Sequence, residues 1–215
     1  MAVTVQVFTF NAFQENTIVI KDSLNNCIIV DPGCYDRNEQ QILLNFIKDN
    51  NLRPLALLNT HSHIDHILGN SFVKRTFDMP HYMHIDDLLT MRSVESYAHV
   101  YGFNGYEPST EPSHIIQGGE KLTFGEIELQ VLHTPGHAPG HVVYYAEKEG
   151  FVINGDVLFK GSFGRVDLPG GDLDILKASI FNVMFKLPED TIVYCGHGEQ
   201  TTIGAEKKSN YIFNF

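Results

Sequence analysis

The sequence is poor in the features that mark exported, membrane-bound or nucleic-acid-binding chains. Its 215 residues contain three cysteines, Cys27, Cys34 and Cys195, an odd number with no CxxC pair. That pattern excludes a disulfide framework. No apolar run nears the roughly 18 residues needed to span a bilayer. The first eight residues, MAVTVQVF, lack the basic start of a signal peptide and alternate like a strand instead. The expected setting is therefore the reducing cytoplasm. Positive charge is also scarce, because 15 Lys and Arg face 26 Asp and Glu for a net −11. Basic residues are never more than two in a row, as at Lys74-Arg75 and Lys207-Lys208. A broad nucleic-acid or anionic-membrane face is thus not expected, since nothing would release phosphate counterions along it.

What remains is globular and rich in histidine. With 43% hydrophobic and 19% charged residues, the chain can bury a sizeable core and reads as one domain over 1–215. No repeat or Pro/Gly linker divides it. Short Val/Ile/Phe/Thr-rich segments at 4–10, 16–21 and 26–31 predict an antiparallel meander. Ile42, Leu43, Phe46 and Ile47 form an apolar stripe, predicting a helix over 39–50. A buried strand is expected at 55–60, then a helix over 64–76 with a weak spot at Gly69-Asn70. Helix over 84–95 is expected next, followed by an aromatic stretch without clean period. Strands return at 114–117, 121–124, 127–133, 141–146, 151–155 and 191–195, with a helix over 172–187. Two packed sheets with helices outside accommodate this order.

The 11 histidines are not scattered. His61-Ser62-His63-Ile64-Asp65-His66 follows a predicted strand directly. In an extended segment, residues two apart face one side, so His61 and His63 project together. A helix starting near Ile64 turns Asp65 and His66 back toward the same point. Unpaired buried imidazoles lose solvation for no return, whereas one or two metal ions satisfy them. Three further residues each fall just after a predicted strand: His137 in His133-Thr134-Pro135-Gly136-His137, Asp156 after Phe151–Gly155, and His197 between Gly196 and Gly198. Singly each is more often a satisfied surface residue than a ligand. Together they deliver His and Asp to one edge of the sheets.

The order His61-x-His63-x-Asp65-His66, His137, Asp156, His197 resembles the metallo-β-lactamase superfamily. Asn11–Thr17, Gly155–Phe159, Gly161–Asp167 and Gly196–Gly204 are similar to the short bacterial glyoxalase II-like (hydroxyacylglutathione hydrolase-like) branch. The resemblance runs over nearly the whole chain. It implies an α/β (α+β) fold, an αβ/βα four-layer sandwich of two mixed β-sheets flanked by helices. It also implies that His61, His63 and His137 hold a first metal, that Asp65, His66 and His197 hold a second, and that Asp156 bridges them. Imidazole and carboxylate without thiolate suit zinc, iron or manganese and do not choose among them; the resemblance implies two divalent ions, zinc ahead of iron or manganese, with a single-metal form left open. Two ions roughly 3.5–4 Å apart lower the pKa of a shared water to near neutrality. The expected reaction is attack of metal-bound hydroxide on a thioester of the S-2-hydroxyacylglutathione type or a related acyl-thiol. Asp65 and Asp156 are the expected catalytic carboxylates.

The substrate side is less specific. Arg165 is a candidate contact for a substrate carboxylate, or else a loop-ordering partner of Asp167. Tyr97, Tyr101, Phe103 and Tyr106 form a candidate lid, or plain packing. His133 and His141 flank His137 and are expected to support it rather than ligate. Only 18 residues follow His197, so the helical domain with which full-length glyoxalase II grips glutathione is not expected. Lys207 and Lys208 stand as remaining anion contacts. Because the metals make the site locally positive, an anionic small molecule is the expected substrate. Two alternatives share the fold: a mononuclear-iron persulfide dioxygenase, and a hydrolase of lactones or other esters.

Overall fold

The computed structural model describes residues 3–215. Strands β1 (Thr4–Phe10), β2 (Glu15–Lys21) and β3 (Asn26–Val30) form the expected antiparallel meander. Helix α1 (Arg37–Asp49) returns the chain to β4 (Arg53–Leu58), which pairs parallel to β3. It starts at a capping box in which Asp36 and Glu39 satisfy each other's backbone N–H groups. Two short helices follow, α2 (Ile64–Ile67) and α3 (Asn70–Phe77). The expected single helix over 64–76 is broken at Gly69, whose N–H is taken by the Pro32 carbonyl. A Cβ there would press on the Cys34 sulfur and the Pro32 carbonyl. The parallel strands β5 (His81–His84) and β6 (His114–Ile116) complete a six-stranded mixed sheet. Between them lies α4 (Leu88–Tyr97), entered through a 3-10 turn at Ile85–Asp87, where a continuous helix from 84 was expected.

The second sheet begins with β7 (Lys121–Phe124), β8 (Ile127–His133), β9 (Val142–Ala146) and β10 (Phe151–Gly155), all antiparallel neighbours. A small hairpin, β11 (Leu158–Phe159) with β12 (Ser162–Phe163), follows. Helix α5 (Leu173–Asn182) then crosses over to β13 (Ile192–Cys195), parallel to β10, and β14 (Thr201–Thr202) closes the edge. The helix stops short of the expected 187, giving way to a 3-10 turn at Met184–Lys186. Helix α6 (Ile203–Ser209) ends the regular structure.

The facing sides of the sheets share one core, with Ile18, Ile28 and Leu58 from the first sheet against Leu129, Tyr144 and Ile153 from the second. On the outer faces, Leu43, Ile47 and Val73 from α1 and α3 cover the first sheet. Leu176, Ile180 and Ile203 from α5 and α6 cover the second. The result is the expected four-layer helix–sheet–sheet–helix sandwich, with both sheets mixed. Among the described residues, no helix is long and apolar enough to cross a membrane.

Candidate metal centre

The carboxyl ends of β4, β8, β10 and β13 lead into the turns that carry His61, His137, Asp156 and His197. Parallel pairing explains why β10 and β13 place Asp156 and His197 side by side. His137 Nε2 lies 2.9 Å from His63 Nδ1 and 3.2 Å from His61 Nε2. On the other side, His197 Nε2 lies 3.2 Å from Asp65 Oδ2, and His66 Nε2 lies 3.7 Å from it. Asp156 reaches both groups. Its Oδ2 is 3.5 Å from His137 Nε2 and 3.5 Å from His197 Nε2, and its Oδ1 is 3.5 Å from His66 Nε2. All seven side chains named from the sequence therefore meet in one place.

The hydrogen bonds around the rim fix which ring nitrogens face inward. The Thr60 hydroxyl donates to Asp31 Oδ2, so its oxygen accepts from His61 Nδ1 at 3.0 Å, leaving His61 Nε2 bare. His137 donates through Nδ1 to the Arg165 carbonyl at 2.8 Å. His197 donates through Nδ1 to the Phe13 and Gln14 carbonyls, and His66 through Nδ1 to Asp31 Oδ2 at 3.1 Å. Four Nε2 atoms thus converge on carboxylate oxygens and on one another. His66 Nε2 and Asp156 Oδ1 are buried without a hydrogen-bond partner. Buried polar atoms without partners are costly, and a metal ion in place of the His66 proton would satisfy both. The donor set fits divalent metal ions. His61, His63 and His137 can hold one, and Asp65, His66 and His197 another.

Electrostatics divide the two groups. Burial holds His61, His63 and His137 below the ordinary histidine range, with neighbouring imidazoles adding to the effect on His61 and His63. His63 falls to about 3, so this trio is neutral and ready to donate lone pairs at pH 7. His66 is just as buried, which alone would lower it, yet the Asp156 and Asp65 carboxylates raise it well above normal. Burial is the largest single influence on Asp65 and Asp156 and opposes their ionised forms, but His66 together with His197, and for Asp156 also His137, keeps both carboxylates below their usual range.

Two supports were not read from the sequence. Asp31, at the end of β3, accepts from His66 Nδ1, the Thr60 N–H and hydroxyl, and Asn59. The Asn11–Asn16 turn carries the carbonyls that orient His197, and its Asn11 amide donates to the Gly33 and Asp65 carbonyls. For the first, the sequence offers only an Asp-Pro-Gly turn directly after a predicted strand. The second lies in the Asn11–Thr17 segment that carries part of the family resemblance, which marks the segment without revealing its contact with His197. Gly196 is required by close approach, since a Cβ there would collide with Asp156 Oδ1. His141 acts as expected of a support: its Nε2 accepts the Asp156 N–H at 3.0 Å, and its ring stacks on His61. His133 is tied to the Pro139 carbonyl and stacks on His84. Cys195 is a buried strand residue, its thiol pushed up to about 12 by burial.

A cavity of about 840 Å³ opens onto His63, Asp65, His137, Asp156 and His197. Tyr97 and Tyr101 line it. Phe103 is instead buried against Tyr35, and Tyr106 packs in the same apolar cluster. Arg165 also lines the cavity, but its guanidinium is paired with Asp167 through contacts of 2.7 and 2.8 Å. Lys207 and Lys208 do not line it. They sit in the last turn of α6, with Lys207 3.4 Å from Glu189 and Lys208 exposed.

The chain is 38% identical over 194 residues to a probable metallo-hydrolase, YqgX, of Bacillus subtilis, covering 88% of each chain. It is 33% identical to the hydroxyacylglutathione hydrolase GloC of Haemophilus influenzae, covering 98% of each. Among solved structures, the BLEG-1 B3 metallo-beta-lactamase superposes with a TM-score of 0.89 at 36% identity, covering 99% of this chain and 100% of that one. TTHA1623 in a di-iron-bound form gives 0.85 at 36% identity, covering 96% and 98%. The sequence model of the metallo-beta-lactamase superfamily matches residues 10–197, and with the sandwich and its histidine-lined edge this shows that the chain belongs to that superfamily.

Proposed function

We propose that the protein is a two-metal hydrolase of thioesters, with His61, His63 and His137 on one ion, Asp65, His66 and His197 on the other, and Asp156 between them. The observation that carries this reading is the reach of Asp156, whose two oxygens face imidazoles of both groups at 3.5 Å. The GloC relative is named a hydroxyacylglutathione hydrolase, which supports the thioester as the bond cleaved. When bound, paired zinc, iron or manganese ions supply an acidified water and a Lewis acid for the scissile carbonyl.

The chain's own residues do the rest. Arg165, through its carbonyl, and Thr60 hold the His137 and His61 rings so that Nε2 points into the site. Asp65, kept ionised and bordering the cavity, is the proton acceptor for an attacking water through Oδ1, the oxygen not turned toward His66 and His197. A departing thiol with a pKa of about 8.5 leaves as thiolate, so no separate acid is required.

Counting metals in the purified protein and assaying S-D-lactoylglutathione beside other thioesters and a lactone tests the reading. Turnover of a thioester by a form holding two ions is expected. A two-metal form that cleaves only the lactone overturns the thioester assignment. One iron per chain with oxygen uptake overturns hydrolysis in favour of persulfide oxidation.

A further inference from the structure

The walls of the cavity above the metal centre carry a chemistry of their own. One wall is α4 and the turn after it, which present Leu89, Tyr97, Val100 and Tyr101; the opposite wall includes Phe159 and Phe163 of the β11–β12 hairpin. Leu89 and Val100 are 76% and 71% exposed. Together with Tyr97, Tyr101, Phe159 and Phe163 they make a contiguous apolar lining, the kind of exposed surface that marks a ligand-binding groove. Phe13 continues this surface, packed edge-on against Tyr101 with ring centroids 5.7 Å apart. Among the described residues, the lining cation other than histidine is Arg165, and Asp167 holds its Nε and Nη2 edge. A carboxylate-rich thiol such as glutathione finds greasy walls and an engaged arginine.

We propose that the preferred substrate bears an apolar chain or ring, of medium length, that lies along these walls while its thioester meets the metal centre. This rests on the reading of the site as a thioester hydrolase and names the class of thioester it takes. An opening of about 840 Å³ suits a ligand of drug-like size. The locally positive metal centre, which favoured an anionic substrate in the sequence, acts on the carbonyl oxygen, whereas the walls act on the group beside it. That group can be the acyl chain or the thiol, since either presents hydrocarbon to the wall.

Two substrate series separate these sources. The first places acyl chains of two to ten carbons on N-acetylcysteamine, a small neutral thiol. The second places an acetyl group on alkanethiols of the same lengths. The metal-loaded enzyme is expected to gain roughly two- to fourfold in kcat/KM per methylene in one of the series, levelling off at medium length. Lactoyl-N-acetylcysteamine is expected to be cleaved at least as well as S-D-lactoylglutathione. The double variant Leu89→Asp, Val100→Asp should abolish the dependence on length. A flat or falling profile in both series, or a clear preference for the glutathione ester, overturns the proposal while leaving thioester hydrolysis intact. Should no thioester be cleaved, calorimetric titration with the inert thioethers S-ethyl- and S-octyl-N-acetylcysteamine still decides it. At least tenfold tighter binding of the octyl compound, lost in the double variant, supports the apolar wall, and equal binding overturns it.

Discussion

Asp31 Oδ2 stands 3.1 Å from Nδ1 of His66, and both side chains are buried. The pair links the end of β3 to the helix that carries two of the metal-site residues. Because Asp31 also accepts from Thr60, which in turn orients His61, one carboxylate sets the tautomers of imidazoles in both metal groups. Outer partners of this kind raise ligand basicity and fix ring orientation.

Asp31→Asn should therefore lower metal affinity by about 10- to 100-fold, read as competition against a chromophoric chelator. Unchanged affinity at both ions would remove Asp31 from the metal-holding machinery. Circular dichroism should still show the folded sandwich.

Asp156→Ala is expected to abolish activity and reduce the bound metal together, measured by elemental analysis of the same sample used for the assay. Full metal with full activity would show that the bridging role is misassigned.

Gly196→Ala tests crowding without altering a donor. The added methyl would collide with Asp156 Oδ1 and press on the His66 ring. Small-to-large changes in packed sites cost about 1–3 kcal/mol. The expected outcome is a lower Tm with a larger proportional fall in kcat, and a Tm equal to wild type counts against the contact.

Asn11→Ala loosens the turn that supplies the carbonyl partners of His197. It removes the Asn11 bonds to the Gly33 and Asp65 carbonyls and to the Phe13 N–H. We expect one of the two ions to be lost more readily on dialysis, with little change in the other. Equal loss of both, or of neither, contradicts the assignment.

Acid should destabilise the fold partly through His81, which is buried and held down to about 4. Its Nε2–H donates to Asn59 Oδ1 at 2.7 Å. In the unfolded chain a histidine titrates near 6.5, so between about pH 6.5 and 4 the unfolded state takes up a proton that the fold refuses. Stability from this group is complete above that window and falls by up to about 3 kcal/mol through it. Urea titrations at pH 7 and pH 4.5 should show a smaller loss for His81→Gln than for wild type. An equal loss would place the acid sensitivity elsewhere.

The legible part of this molecule was the part encoded by neighbours in sequence. His61, His63, Asp65 and His66 reveal themselves because strand and helix geometry over six residues already aims them together. His137, Asp156 and His197 were legible as strand ends, and the weak spot at Gly69-Asn70 became a real break between α2 and α3. Asp31 was not legible, because its partners lie 29 and 35 residues away and a carboxylate after a strand has many uses. The β5 strand escaped notice because its four residues, His81–His84, carry two histidines and no alternating pattern. Arg165 illustrates a different limit. Both readings of it were chemically sound, and only the position of Asp167 shows which partner its fork holds.

The Asn16 amide donates to the Cys195 and Gly198 carbonyls, across 179 and 182 residues. A backbone bond from Asn16 to Gly196 runs beside it, and Glu15 bridges to His197. During synthesis, the His61–His66 segment leaves the ribosome long before the strand that completes its surroundings. A metal captured at that stage meets half a site, with imidazoles still open to exchange. Closing the site means joining the first turn of the chain to its last strands, the slowest kind of contact to form. Completion of the seven-residue His and Asp set is thereby a late step of folding, and metal held by the whole set would report that the Asn11–Asn16 turn has met the strand before His197.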